Sequence, residues 1–168
     1  MSRAGFCGVA SVLVYVVVAG CGSSKSAAPD GGGGTSGGSI TWKENGQAHT
    51  AAFAAGSRAI SSASDFVQFV GSESTVAVSF GVATETPPLT TGTAACGVTG
   101  ASAPFATLSY TGNNSALATT CSISLTTLGD TTGSRAAGTF AGSVALDSGG
   151  TAVITDGVFD VMLTVSNL

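Results

Sequence analysis

Between Ile40 and Leu168, apolar side chains recur at alternate positions and turn-forming residues interrupt them about every 8 to 12 residues. In an extended chain successive side chains point to opposite faces, so this period suits half-buried strands, and no 3.6-residue period with caps competes with it. Val76, Val78, Phe80 and Val82 are expected to face one way, and Thr75, Ala77, Ser79 and Gly81 the other. Phe66 to Val70 reads as the strand before them, with Gly71-Ser72 as the turn. Ile40, Trp42 and Glu44 lead into Asn45-Gly46, a strong hairpin signal, and Gln47 to Phe53 is the return strand. Pro87-Pro88 and the threonines up to Thr93 place a loop or edge crossing over Ala83 to Ala95.

Phe105 to Tyr110 resumes the pattern, and Gly112, Asn113, Asn114 and Ser115 turn it. Leu117, Cys121, Ile123 and Leu125 share a parity, which points Cys121 inward. Gly129 to Ser134 turns again, Phe140, Val144 and Leu146 line a face, and Asp147-Ser148-Gly149-Gly150 closes a hairpin. Val153, Ile154, Phe159, Val161, Leu163 and Val165 finish the chain. Parity flips across Asp156-Gly157, as a tight turn or a glycine bulge would make it. The fold expected is all-β, an antiparallel β-sandwich of about 8 to 10 strands, with a lipocalin-like closed β-barrel as the alternative.

Composition narrows the partners. Of 168 residues, 96 are Ala, Gly, Ser or Thr, and only 8% are charged, for a net charge of -4. With 5 basic residues in all, the chain lacks the clustered Lys and Arg that phosphate backbones require, so no nucleic acid is expected. One histidine excludes sites that need two, such as H-E-x-x-H zinc centres. Large apolar residues fill 33 of the 129 positions from Ile40 onward. That core is thin, and a cross-link would strengthen it.

Arg3 followed by the apolar stretch Val9 to Ala19 reads as a secretion signal. As a helix the uncharged run from Ala4 to Gly20 would reach about 25 Å, short of a ~30 Å hydrocarbon core. Val18-Ala19-Gly20-Cys21 resembles the lipobox of bacterial lipoproteins, matching it at all four positions. The resemblance implies that residues 1–20 are removed, that the Cys21 thiol carries diacylglycerol, and that the new N-terminus is acylated. Two or more acyl chains anchor stably where one binds only reversibly. Gly22 stands where Asp commonly retains such proteins at the inner membrane, so the outer membrane is expected. After Cys21, residues 22–39 are mostly Gly, Ser and Ala, with Gly31 to Gly34 in a row, and are expected to form a flexible tether. Eighteen such residues have an rms reach of about 21–25 Å. The all-β domain then spans 40–168.

If Cys7 leaves with the signal and Cys21 is lipidated, Cys96 and Cys121 are the two thiols left, and export allows them to pair. Closing a loop of that length would stabilise by roughly 3 kcal/mol in the chain-entropy model. A redox or nucleophilic role would need C-x-x-C or a basic neighbour, and neither is near.

Four segments resemble an uncharacterised domain of bacterial surface and periplasmic lipoproteins: the strand pair Ile40 to Phe53, Thr91-Gly92-Thr93, Gly138-Thr139-Phe140-Ala141-Gly142, and the run Ile154 to Val161, I-T-D-G-V-F-D-V. That family has an early N-G turn, then G-x-F-x-G and I-T-x-G-x-F-D-V. The resemblance implies a fold and supplies no catalytic residues.

Chemistry is sparse. His49 could act as a general base with Asp65, Asp156 or a serine, but no G-x-S-x-G elbow accompanies it, and a strand histidine without catalytic duty is the commoner case. Asp130, Asp147, Asp156 and Asp160 could serve calcium or glycoside hydrolysis as a cluster. Most of them sit beside Gly or Ser in turns, where Asp bonds its own backbone, and no calcium-loop repeat is present. Trp42, Tyr110 and the phenylalanines are expected in the core. Asn113-Asn114-Ser115 matches a glycosylation sequon that has little meaning in a bacterial lipoprotein. No catalytic residue, metal or cofactor is therefore expected, and the chain reads as a non-enzymatic envelope module that contacts a protein or glycan. A carrier of a small apolar ligand is the alternative, and a hydrolase ranks below both.

Overall fold

A computed structural model describes residues 38–97, 103–111, 115–146 and 149–168. The segments read as signal, lipobox with Cys21 and most of the tether, the position of the expected turn at Asn113 and Asn114, and Asp147-Ser148 lie outside the described residues. Among those described there are ten strands and no helix, so the chain is all-β. They are β1 (Ser39–Glu44), β2 (Gln47–Thr50), β3 (Phe53–Ile60), β4 (Asp65–Glu73), β5 (Val76–Thr84), β6 (Gly92–Ala95), β7 (Phe105–Thr111), β8 (Ser115–Leu128), β9 (Arg135–Ala145) and β10 (Thr151–Asn167).

All ten belong to one sheet in the order β2-β1-β10-β3-β4-β5-β7-β6-β8-β9, with further pairings β9–β10 and β7–β8. Hydrogen-bonded neighbours therefore form a circuit, β10-β3-β4-β5-β7-β8-β9 and back to β10, with β1–β2 added along β10. The sheet is mixed, which corrects the purely antiparallel expectation. β3 runs parallel to β10, Gly56 to Ile60 facing Leu163 to Asn167, and β6 meets β7 in parallel. The cause is that β10 is long enough to serve two partners along one edge. Its residues 154–160 pair with β1 and its last residues pair with β3.

Local sequence accounts for most of the boundaries. Asn45 (φ 48°) and Gly46 (φ 86°) both take the left-handed conformations that a two-residue hairpin turn demands. The return strand stops at Thr50, and Phe53 opens a separate strand rather than ending that one. Gly71-Ser72 stays within β4, and the turn falls at Ser74 (φ 50°), because Gly71 lies against the Ile40 side chain and is needed in the sheet. Within Ala83 to Ala95 the chain keeps β5 as far as Thr84 and forms the short β6, with the loop between them.

Asp156-Gly157 is a bulge, not a turn. From Ile154 to Gly157 β10 advances three residues while β9 advances two, from Gly142 to Phe140. The β1 ladder shows the same extra residue between Thr41 and Lys43. Asp156 takes φ 51°, and both Thr155 and Asp156 face outward. Consequently Ala152 and Ile154 point inward before the bulge, and Phe159, Val161 and Leu163 point inward after it. Without the extra residue one half of this strand would turn its apolar face to water. In β8, extra residues between Ala118 and Thr120 and between Leu125 and Thr127 act likewise. The first of these puts Leu117 outside, at 74% exposed, although it shares a parity with the buried Cys121, Ile123 and Leu125.

Four rings make the centre of the core. Phe80 lies 4.0 Å from Phe140 and 5.2 Å from both Phe69 and Phe159, and Phe69 lies 4.4 Å from Phe159, centroid to centroid. Rings of this size fit between strands only where the facing residues are small. Phe159 stands opposite Gly138, and Phe140 stands opposite Gly157. A Cβ on Gly138 would sit 1.9 Å from the Ser124 carbonyl oxygen and 2.8 Å from Phe159 Cζ. One on Gly157 would sit 2.4 Å from the Phe140 carbonyl oxygen. The G-x-F-x-G and D-G-V-F segments are thus two halves of one reciprocal fit.

The expected consequence is that Gly138→Ala destabilises the fold by about 2–3 kcal/mol through overpacking against backbone that cannot yield. Urea unfolding followed by Trp42 fluorescence measures it, and a midpoint unchanged from wild type contradicts it.

Candidate functional site

Charged side chains gather at two places in this charge-poor sheet, one at each end of β4. At the first, Arg58 on β3 and Asp65 on β4 are 4% and 0% exposed. Arg58 donates from Nε to Asp65 Oδ1 at 2.9 Å and from Nη2 to Oδ2 at 2.6 Å, a two-pronged match of guanidinium to carboxylate. Two further donors reach the Gly129 carbonyl at 2.6 Å and the Leu89 carbonyl at 3.1 Å. The Leu89 amide in turn donates to Asp65 Oδ2 at 2.8 Å. One ion pair therefore ties β3, β4, the segment around Leu89 and the exit of β8, and Leu89 is buried with it. Every charge here is matched by fixed partners, an arrangement suited to holding structure and not to turnover.

The second place lies where β4 and β7 end. Trp42 on β1 and His49 on β2 are a cross-strand pair, with rings stacked 5.2 Å apart at 16°. His49 Nδ1 is 2.9 Å from Glu73 Oε2 at the end of β4. An ionised carboxylate only accepts, so Nδ1 carries the proton and donates it. Nε2 is buried with no hydrogen-bond partner, 3.7 Å from Glu44 Oε2. Glu44 accepts a 2.6 Å hydrogen bond from the Tyr110 hydroxyl on β7. Burial first, then that bond and the charge of Glu44, push the Tyr110 phenol well above its ordinary range. The indole Nε1 of Trp42 is likewise buried without a partner.

His49 thus meets neither Asp65 nor Asp156: Asp65 is taken by Arg58, and Asp156 pairs with Lys43 at 2.9 Å on the surface. Its hydrogen bond goes to Glu73, and the Tyr110 hydroxyl joins the network through Glu44. The aspartates read as a cluster are dispersed. Asp160 pairs with Arg135, which holds its carboxyl below the usual range, Asp130 is exposed, and Asp147 lies outside the described residues. Among the described residues no three His, Cys, Asp or Glu side chains converge on a metal position. The Cys96 and Cys121 sulfurs are within bonding distance, with Cα atoms 4.9 Å apart, as β6 lies beside β8. Trp42, Tyr110, Phe69, Phe80, Phe140 and Phe159 are in the core, whereas Phe53, Phe66 and Phe105 are exposed. Over the bulge an open depression of about 440 Å³ is walled by Thr139, Ala141, Asp156 and Val158.

Arg58, Glu44 and Glu73 escaped the sequence reading. A signal was present for the first: Arg58 shares the inward parity of Ala54, and Asp65 that of Val67 and Phe69, so facing strands bring opposite charges to the same side. No protein-family model, curated protein or solved structure matches the chain.

Two outcomes are expected. Arg58→Met strands the Asp65 charge and costs about 3–5 kcal/mol, while Arg58→Met with Asp65→Leu recovers most of that loss in urea unfolding. Because the Tyr110 phenol is held neutral by the fold, its contribution to stability is complete below about pH 10 and is lost as pH rises further. The phenolate absorbance missing from Tyr110→Phe should therefore appear in wild type only as the protein unfolds in alkali, and an ordinary titration of the folded protein would contradict this.

Proposed function

We propose that this chain is a lipid-anchored module of the bacterial cell envelope, fastened to the outer membrane through Cys21, that acts by contact with a protein or glycan partner. The observation that carries the reading is Val18-Ala19-Gly20-Cys21, placed directly after an apolar stretch and before a Gly/Ser-rich segment that leads into the first strand. The resemblance of its Gly-Phe segments to an envelope-lipoprotein domain supports the same placement. The proximity of Cys96 and Cys121 suits an exported protein, since a disulfide persists in an oxidising compartment.

A non-catalytic role is favoured by the engagement of the single histidine, whose Nδ1 is given to Glu73 and whose ring lies on Trp42. Ring-to-ring contacts of 4.0–5.2 Å through the middle of the fold favour a contact module over carriage of an apolar ligand inside it. Outward-facing Phe53, Leu117, Val158 and Met162 offer apolar area to a partner.

Mass spectrometry of the N-terminal peptide from the membrane fraction is expected to show a chain that starts at Cys21 and carries a diacylglyceryl thioether, and Cys21→Ser is expected to retain its leader. An unmodified thiol, or an intact leader on the exported wild type, overturns the placement. Co-purification of the lipidated protein from detergent-solubilised envelopes identifies what it contacts.

A further inference from the structure

β1–β2 is attached to the circuit of strands along one side, through the pairing of β1 with β10. Two side-chain contacts reach the far side: Glu44 accepts from Tyr110 on β7, and His49 donates to Glu73 at the end of β4. The hairpin therefore lies across the end where β4 and β7 finish, with Ile40 and Trp42 buried beneath it. Part of its hold on that end is a contact whose sign a proton reverses. With one proton on the ring, at Nδ1, the lone pair of Nε2 confronts the Glu44 carboxylate at 3.7 Å, two acceptors with no donor between them. With a second proton, at Nε2, the ring becomes a cation between two carboxylates and donates toward both.

We propose that the β1–β2 hairpin is a pH-sensitive lid, latched when His49 carries both ring protons and loosened when Nε2 gives its proton up. The groups that face His49 from the packed elements are Glu44 on β1, Glu73 on β4 and, through Glu44, Tyr110 on β7. The basic residue nearest in sequence, Lys43, points outward to Asp156 and does not compete. Among side chains, an imidazole is the one that changes charge in the mildly acidic to neutral range, while carboxylates stay ionised there.

Hydrogen exchange on the full chain tests this, with each amide corrected for the intrinsic pH dependence of exchange. Between about pH 5.5 and pH 8, opening of the β1–β2 amides is expected to increase about fivefold while the β8–β9 amides hold steady, as befits a local release of a partly buried charged contact. His49→Gln, which cannot take up the second proton, is expected to show the same hairpin opening at both pH values. Glu73→Gln, which keeps an acceptor for Nδ1 and removes one charge, is expected to reduce the change. Trp42, the one tryptophan of the chain, gives a second readout, since its quenching by acrylamide should rise with pH in wild type and not in His49→Gln. Equal hairpin opening at both pH values in wild type overturns the proposal. So does a pH response that survives in His49→Gln, or one shared in full by β8–β9.

Discussion

A sheet built so heavily from Ala, Gly, Ser and Thr has few ways to bury aromatic rings, and the fit between β9 and β10 is the one on which the rest depends. Phe159 occupies the space over Gly138, and Phe140 the space over Gly157. With those glycines in place the rings come into contact with Phe69 and Phe80 from the opposite strands, and the interior is continuous. The bulge at Asp156 serves the same end. It brings the halves of a 17-residue strand into a common orientation, so that Ile154 and Phe159 both reach the core.

Much of this was legible in the chain. The strand period, the Asn45-Gly46 hairpin, the inward Cys121 and the change of parity at Asp156-Gly157 are all local properties, and local reading recovers them. The purely antiparallel pairing was misjudged because the length of a strand does not reveal that it will serve two neighbours on one edge. Leu117 was misplaced because parity arithmetic assumes one residue for one, and the extra residue in β8 is set by its ladder with β9. The site was less legible than the fold. Asp65 was weighed only as one possible companion of His49 and its pairing with Arg58 was not foreseen, and Glu73 and Tyr110 join His49 only when strands remote in sequence are brought together.

The few charges drawn inward are placed economically. Arg58 with Asp65 gathers the segments at one end of β4, and His49 with Glu44, Glu73 and Tyr110 gathers those at the other. Their chemistry differs. Guanidinium keeps its charge at any pH a cell meets, so the first cluster is constant, whereas an imidazole between carboxylates is open to its surroundings. A thin apolar interior is thus closed by one permanent fastening and one that responds.

The route by which the chain enters the sheet carries its own consequence. Ser39 pairs with Asp160 near the middle of β10, and whatever precedes it is covalently continuous with β1. Any tug on the preceding segment is borne first by the short β1–β10 ladder, the same element that carries Trp42 and meets Glu73 through its hairpin partner. Mechanical load and proton uptake therefore converge on one hairpin, and traction at the amino end would strain that hairpin before it reached the interlocked rings behind.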